Sequence, residues 1–150
     1  MIRYRPEYQE PVLALHRSAI AGFALGMEQE EDEADLSAVD QVYLCPGGEF
    51  LIGFVGEILM AMGGFERLSE TAAELRRMRI ARDFQGRGYG TQLLRELERL
   101  AWQCNIRTLQ LETAIRRPLT LEFYRTHGYQ ETGRSYYGAL KTVHFSKTLS

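Results

Sequence analysis

A segment rich in glycine and arginine is the part of the sequence whose residue types and spacing most clearly suggest chemistry. Residues 82–90 read RDFQGRGYG, so three glycines occupy alternate positions beside two arginines, directly before a run of leucines. The start of a helix leaves several backbone N–H groups without partners and carries partial positive charge, so anions bind there readily. Glycines let the backbone approach a ligand closely, and arginines add charge-assisted hydrogen bonds to phosphate. The segment therefore predicts a site for an anionic ligand, and a pyrophosphate fits this description.

The distribution of charge supports this interpretation. Five arginines lie between Arg76 and Arg87 against one acid, Asp83, whereas the whole chain has a net charge of −2. Two common phosphate motifs do not match, because GxGxxG would need glycine at the position of Thr91 and no GxxxxGK[ST] string occurs. A glycine-rich turn that only caps a helix remains the structural alternative.

The elements that would position this segment are a strand before it and a helix after it. The apolar runs EFLIGFVG, EILMAMGGFE and AAELRRMRIA predict three consecutive strands joined by short turns, an antiparallel meander. After the glycines, apolar residues fall on one helical face, namely Leu93, Leu94, Leu97, Leu100, Ala101 and Cys104. TLQLETA predicts the next strand, and the order strand, helix, strand predicts a parallel crossover.

The rest of the chain adds elements at both ends of this unit. IRYRP predicts a short strand, YQEPVLALHRSAIAGF a helix, and the acidic stretch with LSAVDQVYL a loop or second helix. PLTLEFYRTHGY predicts a short helix that begins near Pro118 and closes at Gly128, before two last strands in YQETGRSYY and KTVHFSKTL. The sequence thus predicts a mixed α/β sheet.

Two segments resemble motifs of a known family. MRIARDFQGRGYGTQLL is similar to the acyl-CoA binding signature of the GCN5-related N-acetyltransferases (GNAT), in which a strand ending in Val or Ile is followed by Gln or Arg, GxGxG or GxGxA, and an amphipathic helix. Ile80, Gln85, Gly86, Gly88 and Gly90 occupy those places. FYRTHGY resembles the family's later FYxxxGF segment, and the order of elements resembles the whole family fold. The resemblance implies one GNAT domain over residues 1–150, with a mostly antiparallel sheet of six to seven strands and helices on both faces.

The resemblance also implies where a cofactor would bind. Pantetheine would lie along the strand at Met78, Arg79 and Ile80, where this strand splays from TLQLETA. The diphosphate of acetyl-CoA would rest on the backbone amides of Gln85, Gly86, Arg87, Gly88, Tyr89, Gly90 and Thr91. This expectation agrees with the independent argument for an anion site.

The implied reaction is direct attack of an amine on the thioester while both ligands are bound, with no acyl-enzyme. The sequence is compatible with this, because it contains no GxSxG elbow or evident Cys–His nucleophile pair. A backbone N–H near Ile80 would polarise the thioester oxygen. Tyr124 matches the family tyrosine that donates a proton or a hydrogen bond to the leaving thiolate. A buried core aromatic is the alternative interpretation of Tyr124.

Other site residues are less determined by the sequence. Glu112, Glu74 and Glu66 are candidates for accepting the amine proton, and for each the alternative is a solvated carboxylate. Many family members have Asn seven residues before the tyrosine, where it helps to hold the cofactor; this chain has Arg117 there, which could instead reach a phosphate or a substrate carboxylate. For the three histidines the sequence predicts only structural roles, and His127 fits the last turn of a helix, where the helix dipole favours it.

Composition limits the remaining choices. The acidic residues between positions 28 and 35 could attract a polyamine, an aminoglycoside or a lysine-rich tail, although such runs commonly stay solvated. No segment fits a secretory signal or a membrane helix, so we expect a cytoplasmic protein that does not bind a membrane. The sequence pI is near 6.0, so nucleic acid is not an expected partner. Cys45 and Cys104 form no metal-binding pattern, so we expect buried thiols and no metal.

The sequence therefore predicts an acyl-CoA-dependent N-acetyltransferase that uses acetyl-CoA and a small-molecule or peptide amine. A non-catalytic acyl-CoA sensor or interaction module is the alternative function. The sequence does not decide the oligomeric state, and a homodimer is possible.

Overall fold

The structure is a computed structural model that describes residues 1–21 and 33–150. Its strands are β1 (Ile2–Arg3), β2 (Glu49–Val55), β3 (Ile58–Arg67), β4 (Ala72–Ile80), β5 (Thr108–Ala114), β6 (Gln130–Tyr137) and β7 (Leu140–Thr148). Its α-helices in the described ranges are α1 (Gln9–Ala21), α2 (Tyr89–Gln103) and α3 (Pro118–Thr126). None of these helices is long and apolar enough to cross a lipid bilayer.

The strands form one sheet in the order β1-β2-β3-β4-β5-β7-β6. Neighbouring strands are antiparallel except for β4 and β5, which are parallel and are connected through α2. A strand that returns parallel to its neighbour needs such a crossover. The predicted mixed sheet with a parallel crossover is therefore confirmed.

The parallel pair is short. It includes only Ala72 with Thr108, Ala73 with Leu109, and Glu74 with Gln110. Beyond Glu74 the two strands are no longer paired with each other, although β4 continues to Ile80 and β5 to Ala114. The sheet therefore opens between the carboxyl halves of β4 and β5, in the splay that the family resemblance implies.

Each face of the sheet carries an apolar core. Alternation along β2 sends Phe50 and Ile52 to the core that α1 covers, whereas Leu51 joins the core that α2 and α3 cover. The predicted apolar face of α2 supplies four fully buried residues to the second core, namely Leu93, Leu94, Leu97 and Ala101. The prediction of helices on both faces is confirmed.

Some local predictions differ from the structure. Cys45 and Cys104 are exposed rather than buried, because Cys45 lies in the turn before β2 and Cys104 is the C-cap residue that follows the last turn of α2. Residues 22–32, which include the first part of the segment predicted as a loop or second helix, lie outside the described residues. The part that follows contains a 3-10 turn at Ala34–Ser37 and one turn of π-helix at Asp40–Leu44.

Candidate functional site

The glycine-rich segment forms a tight connection between β4 and α2. Ala81 N–H donates to the Met60 carbonyl at 2.8 Å, and a 3-10 turn follows at Arg82–Phe84. The side chain of Gln85 then turns back, and its Nε2 donates to the Ile80 carbonyl at 2.9 Å. The Gln85 side chain therefore fixes the end of β4 relative to the loop.

The glycines of this loop meet two different requirements. Gly86 and Gly88 have φ angles of 76° and 89°, in the left-handed region that favours glycine, and a Cβ added at either would have no atom of the described residues within 4 Å. Gly90 lies in the helix, where an added Cβ would come within 3.3 Å of the Phe123 ring. Thus Gly86 and Gly88 leave open space at the surface, whereas Gly90 lets α2 approach α3.

The start of α2 is open to a ligand. Gly88 is its N-cap, and no side chain of the described residues caps the first backbone amides. A 15-residue helix directs partial positive charge toward this end. Arg82 and Arg87 are exposed beside it, and the Arg87 guanidinium lies 5.6 Å from the centre of the Phe84 ring. These residues fit a diphosphate group.

Thr91, in the first turn of α2, is held by His127, for which the sequence predicted only a position at the end of a helix. His127 Nε2 lies 3.0 Å from Thr91 Oγ1, and His127 Nδ1 lies 2.7 Å from the Phe123 carbonyl. A carbonyl only accepts, so Nδ1 carries a proton and, in the neutral ring, Nε2 accepts from the Thr91 hydroxyl. His127 thereby connects the end of α3 to the start of α2.

The opening between β4 and β5 holds a cavity of about 260 Å³. Met78 and Arg79 line it from β4, and Tyr124 and Arg117 line it from α3 and the residue before it. Ile80 does not line the cavity and instead packs against the core under α2. The structure therefore brings the predicted tyrosine together with two of the three predicted β4 residues.

Tyr124 is both a core residue and part of the cavity wall. It is 6% exposed, and its ring packs edge-on against Phe123 and Tyr129. Burial raises the pKa of Tyr124 to about 12, although Arg79 and Arg117 act in the opposite direction. The phenol is therefore protonated at neutral pH and is a hydrogen-bond donor.

Two of the three candidate carboxylates line the same cavity. Glu74 and Glu112 do so, whereas Glu66 is absent from the lining and accepts a hydrogen bond from Arg76 at 3.1 Å. Burial raises the pKa of Glu74, with Arg76 opposing and Glu66 and Glu112 adding to the rise. Glu112 accepts a short hydrogen bond from the Thr142 hydroxyl.

A β-bulge shapes the β4 side of the cavity. Met62 pairs with Arg79 and Gly64 with Arg76, so one residue of β3 faces two of β4. Arg77, inside the bulge, has a φ of 61°, which is unusual for a residue with a side chain. A Cβ at Gly63 would lie 2.9 Å from the Met78 side chain, so only glycine fits opposite the bulge.

The bulge is fixed by the end of the acidic stretch. Arg77 donates from Nε and Nη2 to the two Asp35 carboxylate oxygens at 3.0 and 2.8 Å, and the buried Tyr43 hydroxyl donates to Asp35 at 2.6 Å. Burial raises the pKa of Asp35, but the hydrogen bonds from Arg77 and Tyr43 outweigh it, so the pKa lies below its ordinary value. We name these three residues the Asp35 clamp.

The prediction of a solvated acidic run is wrong at its described end. Asp35 is 8% exposed and ion-paired, and Glu33 pairs with Arg17 at 2.9 Å. The earlier acids, at positions 28–32, lie outside the described residues. Composition could not reveal the clamp, because its partners are 42 and 8 residues away from Asp35.

Comparison with known proteins identifies the family. The model of the acetyltransferase (GNAT) family matches residues 3–129. The chain belongs to the GNAT family. The proteins of this family are acetyltransferases, so the chain is a member of an acyltransferase family, and the recognition made from the glycine segment and FYRTHGY is confirmed.

Solved structures show the same GNAT fold over almost the whole chain. A GNAT-family acetyltransferase from Staphylococcus aureus Mu50 has a TM-score of 0.88 at 19% identity, covering 99% of this chain and 98% of that one. Ard1 from Thermoplasma volcanium has a TM-score of 0.82 at 15% identity, with 99% and 96% covered. YncA of Salmonella typhimurium, solved with its cofactor acetyl-CoA, has a TM-score of 0.81 at 14% identity, with 99% and 92% covered. No curated protein matches the sequence significantly.

Proposed function

We propose that this GNAT protein is an N-acetyltransferase that moves the acetyl group of acetyl-CoA to a primary amine of a small molecule or peptide. The observation that carries the proposal is the continuity of the site: β4 borders the Tyr124 cavity and leads directly into the glycine loop at the uncapped start of α2. One ligand can therefore contact both regions.

The binding of acetyl-CoA is supported by the open backbone of this path. In the proposal, pantetheine lies along Met78, Arg79 and Ile80, where β4 is no longer paired with β5. The Gln85 N–H already donates to the Arg82 carbonyl at 3.2 Å, so in the proposal the amides of residues 86–91 bind the diphosphate. Gly86 and Gly88 place no side chain in its way. Arg87 adds positive charge at the exposed side.

Acetyl-CoA supplies a thioester: the amine nitrogen bonds to its carbonyl carbon, the carbon–sulfur bond breaks, and coenzyme A leaves. A backbone N–H of β4 near Ile80 donates to the carbonyl oxygen as negative charge grows on it. The raised pKa keeps the Tyr124 hydroxyl protonated, so it donates a hydrogen bond to the leaving sulfur. Full transfer of its proton to a thiolate of lower pKa is uphill unless the bound ligands change both pKa values.

The proton lost by the amine goes to a carboxylate or to a water held by one. Glu74 and Glu112 both line the cavity, and Glu74 has the raised pKa that makes a carboxylate a better base. Glu66 is a weaker candidate, because it is paired with Arg76 and is not part of the lining. We therefore propose Glu74 first and Glu112 second.

Arg117 stands where many family members have Asn. It lines the cavity and lowers the pKa of Tyr124 against the effect of burial. In the proposal, Arg117 stabilises negative charge near the tyrosine during transfer rather than replacing the amide contact of Asn.

The test combines binding with turnover. Isothermal calorimetry with acetyl-CoA measures binding, and a thiol-release assay measures transfer to spermidine, kanamycin, phenethylamine and the tripeptide Ala-Lys-Gly. We expect one acetyl-CoA bound per chain and release of coenzyme A with at least one amine. Binding without turnover on all four would favour the non-catalytic sensor, and absence of binding would refute both functions.

A further inference from the structure

His16 lines the cavity from α1, the helix on the face of the sheet opposite to α2 and α3. It lies on α1, it is 0% exposed, and it shares the cavity wall with Met78, Arg79 and Tyr124. Sequence patterns predicted only a structural role for it. It is the one histidine on this wall among the described residues.

The ring nitrogens of His16 are unlike those of the other two histidines. Neither Nδ1 nor Nε2 of His16 has a hydrogen-bond partner within residues 1–21 and 33–150. In contrast, His127 bonds to Thr91 and Phe123, and His144 Nε2 lies 2.7 Å from Ser135 Oγ. A buried polar group without a partner costs free energy, so proteins rarely keep one unless a ligand or water completes it. A purely structural histidine would have its nitrogens paired.

The charges around His16 decide its protonation state. Burial lowers its pKa to about 4, and Arg79 and Arg77 of β4 and Arg17 of its own helix act in the same direction, opposed by Asp35. At neutral pH the ring is therefore uncharged, with one nitrogen that donates and one that accepts. The accepting nitrogen suits a ligand that brings an N–H group.

We propose that His16 binds the acceptor substrate, through a hydrogen bond from the acceptor's amino group to the unprotonated imidazole nitrogen. This inference rests on the proposed function and specifies which side chain receives the amine. The bond holds the amine nitrogen in the cavity that Tyr124 also lines, while a carboxylate of the same cavity removes the proton. An amine N–H supplies the donor that the accepting nitrogen lacks.

Three substitutions of His16 separate the role of each nitrogen. His16→Leu fills the space without polar atoms, His16→Asn places an amide near the position of Nδ1, and His16→Gln places one near Nε2. Leu15→Met, a volume-conserving change at the next buried residue of α1, is the control for disturbance of the helix. The assay uses whichever of the four amines wild type acetylates fastest.

We expect His16→Leu to raise the KM for the amine about tenfold, because one hydrogen bond to the acceptor is lost. The dissociation constant of acetyl-CoA should stay within about twofold of wild type, and either His16→Asn or His16→Gln should recover most of the amine affinity. An unchanged KM for the amine in a folded His16→Leu protein would overturn the inference, and so would an equal loss of acetyl-CoA binding.

A measurement on the wild-type protein covers the case in which His16→Leu does not fold. With 15N-labelled histidine and saturating coenzyme A, adding the same amine should shift one ring nitrogen signal of His16 in NMR spectra. An unshifted signal at saturating amine would overturn the inference. If wild type acetylates none of the four amines, the proposed function fails first, which is a distinct result from turnover that ignores His16.

Discussion

At the scale of single residues, Tyr124 meets two requirements with one side chain. Its ring belongs to the core under α2 and α3, and its pKa of about 12 keeps the hydroxyl protonated beside the cavity. The two alternatives that the sequence left open, a core aromatic and a proton donor, are therefore compatible. A substitution that removes only the hydroxyl tests the role of the proton donor while it keeps the ring in the core.

We expect Tyr124→Phe to lower kcat by about 100-fold or more, because a positioned general acid contributes that much, while acetyl-CoA affinity and folding stay near wild type. Steady-state kinetics and calorimetry measure both quantities. Tyr129→Phe is the matched control, since Tyr129 packs on Tyr124 but its hydroxyl donates to Glu98 at 2.8 Å. A kcat equal to wild type in Tyr124→Phe would remove the proposed acid.

At the scale of elements, the loop before α2 depends on backbone geometry more than on side chains. Gly88→Ala tests this, because the methyl group would point into the open space where the diphosphate is proposed to bind. Gly56, in the turn between β2 and β3, is the matched control: its φ is also positive, at 60°, and a Cβ there also meets nothing within 4 Å in the described residues.

We expect both alanine variants to lose about 1 kcal/mol of unfolding free energy from backbone strain. Only Gly88→Ala should also weaken acetyl-CoA binding, by about tenfold, as measured by calorimetry. Equal acetyl-CoA affinity in the two variants would contradict the proposed diphosphate site.

The Asp35 clamp joins two elements that are distant in sequence. Asp35→Asn would leave the Arg77 guanidinium buried beside a neutral group, and removing one partner of a buried ion pair costs about 3 kcal/mol. We expect urea denaturation to show a loss of this size. Glu33→Gln, which breaks the exposed pair with Arg17, should cost less than about 1 kcal/mol.

A second variant tests whether the loss comes from the bulge. Glycine adopts the φ of 61° at position 77 without strain, so Arg77→Gly in the Asp35→Asn background should recover part of the lost stability. A double variant less stable than Asp35→Asn would show that the clamp does not act by holding the bulge.

At the scale of the whole molecule, His16 of α1 is buried in the cavity wall where β4 and β5 separate. Its folded pKa of about 4 lies below the ordinary value of 6.5, so the unfolded chain binds more protons in the interval between them. The contribution of His16 to stability is therefore present above pH 6.5 and is lost as the pH falls toward 4.

We expect the free energy of unfolding to fall more steeply between pH 7 and pH 5 in wild type than in His16→Leu, by about 2 kcal/mol. Urea titrations at the two pH values measure the difference, in which the contributions of other groups cancel. Parallel pH profiles would show that His16 is not held neutral in the folded protein.

The sequence by itself determined the elements and the family, because both depend on local patterns. Alternating and helical periodicity predicted the strands and α2, and the glycine segment with FYRTHGY predicted the GNAT fold that the family match confirms. Glycine spacing predicts an anion site for the same reason: the backbone geometry that it permits is local.

Only the tertiary structure decided which distant side chains share the cavity. The pairing of Asp35 with Arg77 spans 42 residues, and His16 reaches the cavity from α1 because that helix covers the face of the sheet where β4 and β5 separate. Burial changes the charge state of such groups, and burial is a property of the packed chain rather than of any segment. The spacing of residues therefore predicts a path for the cofactor, whereas packing identifies the residues that we propose to receive the amine.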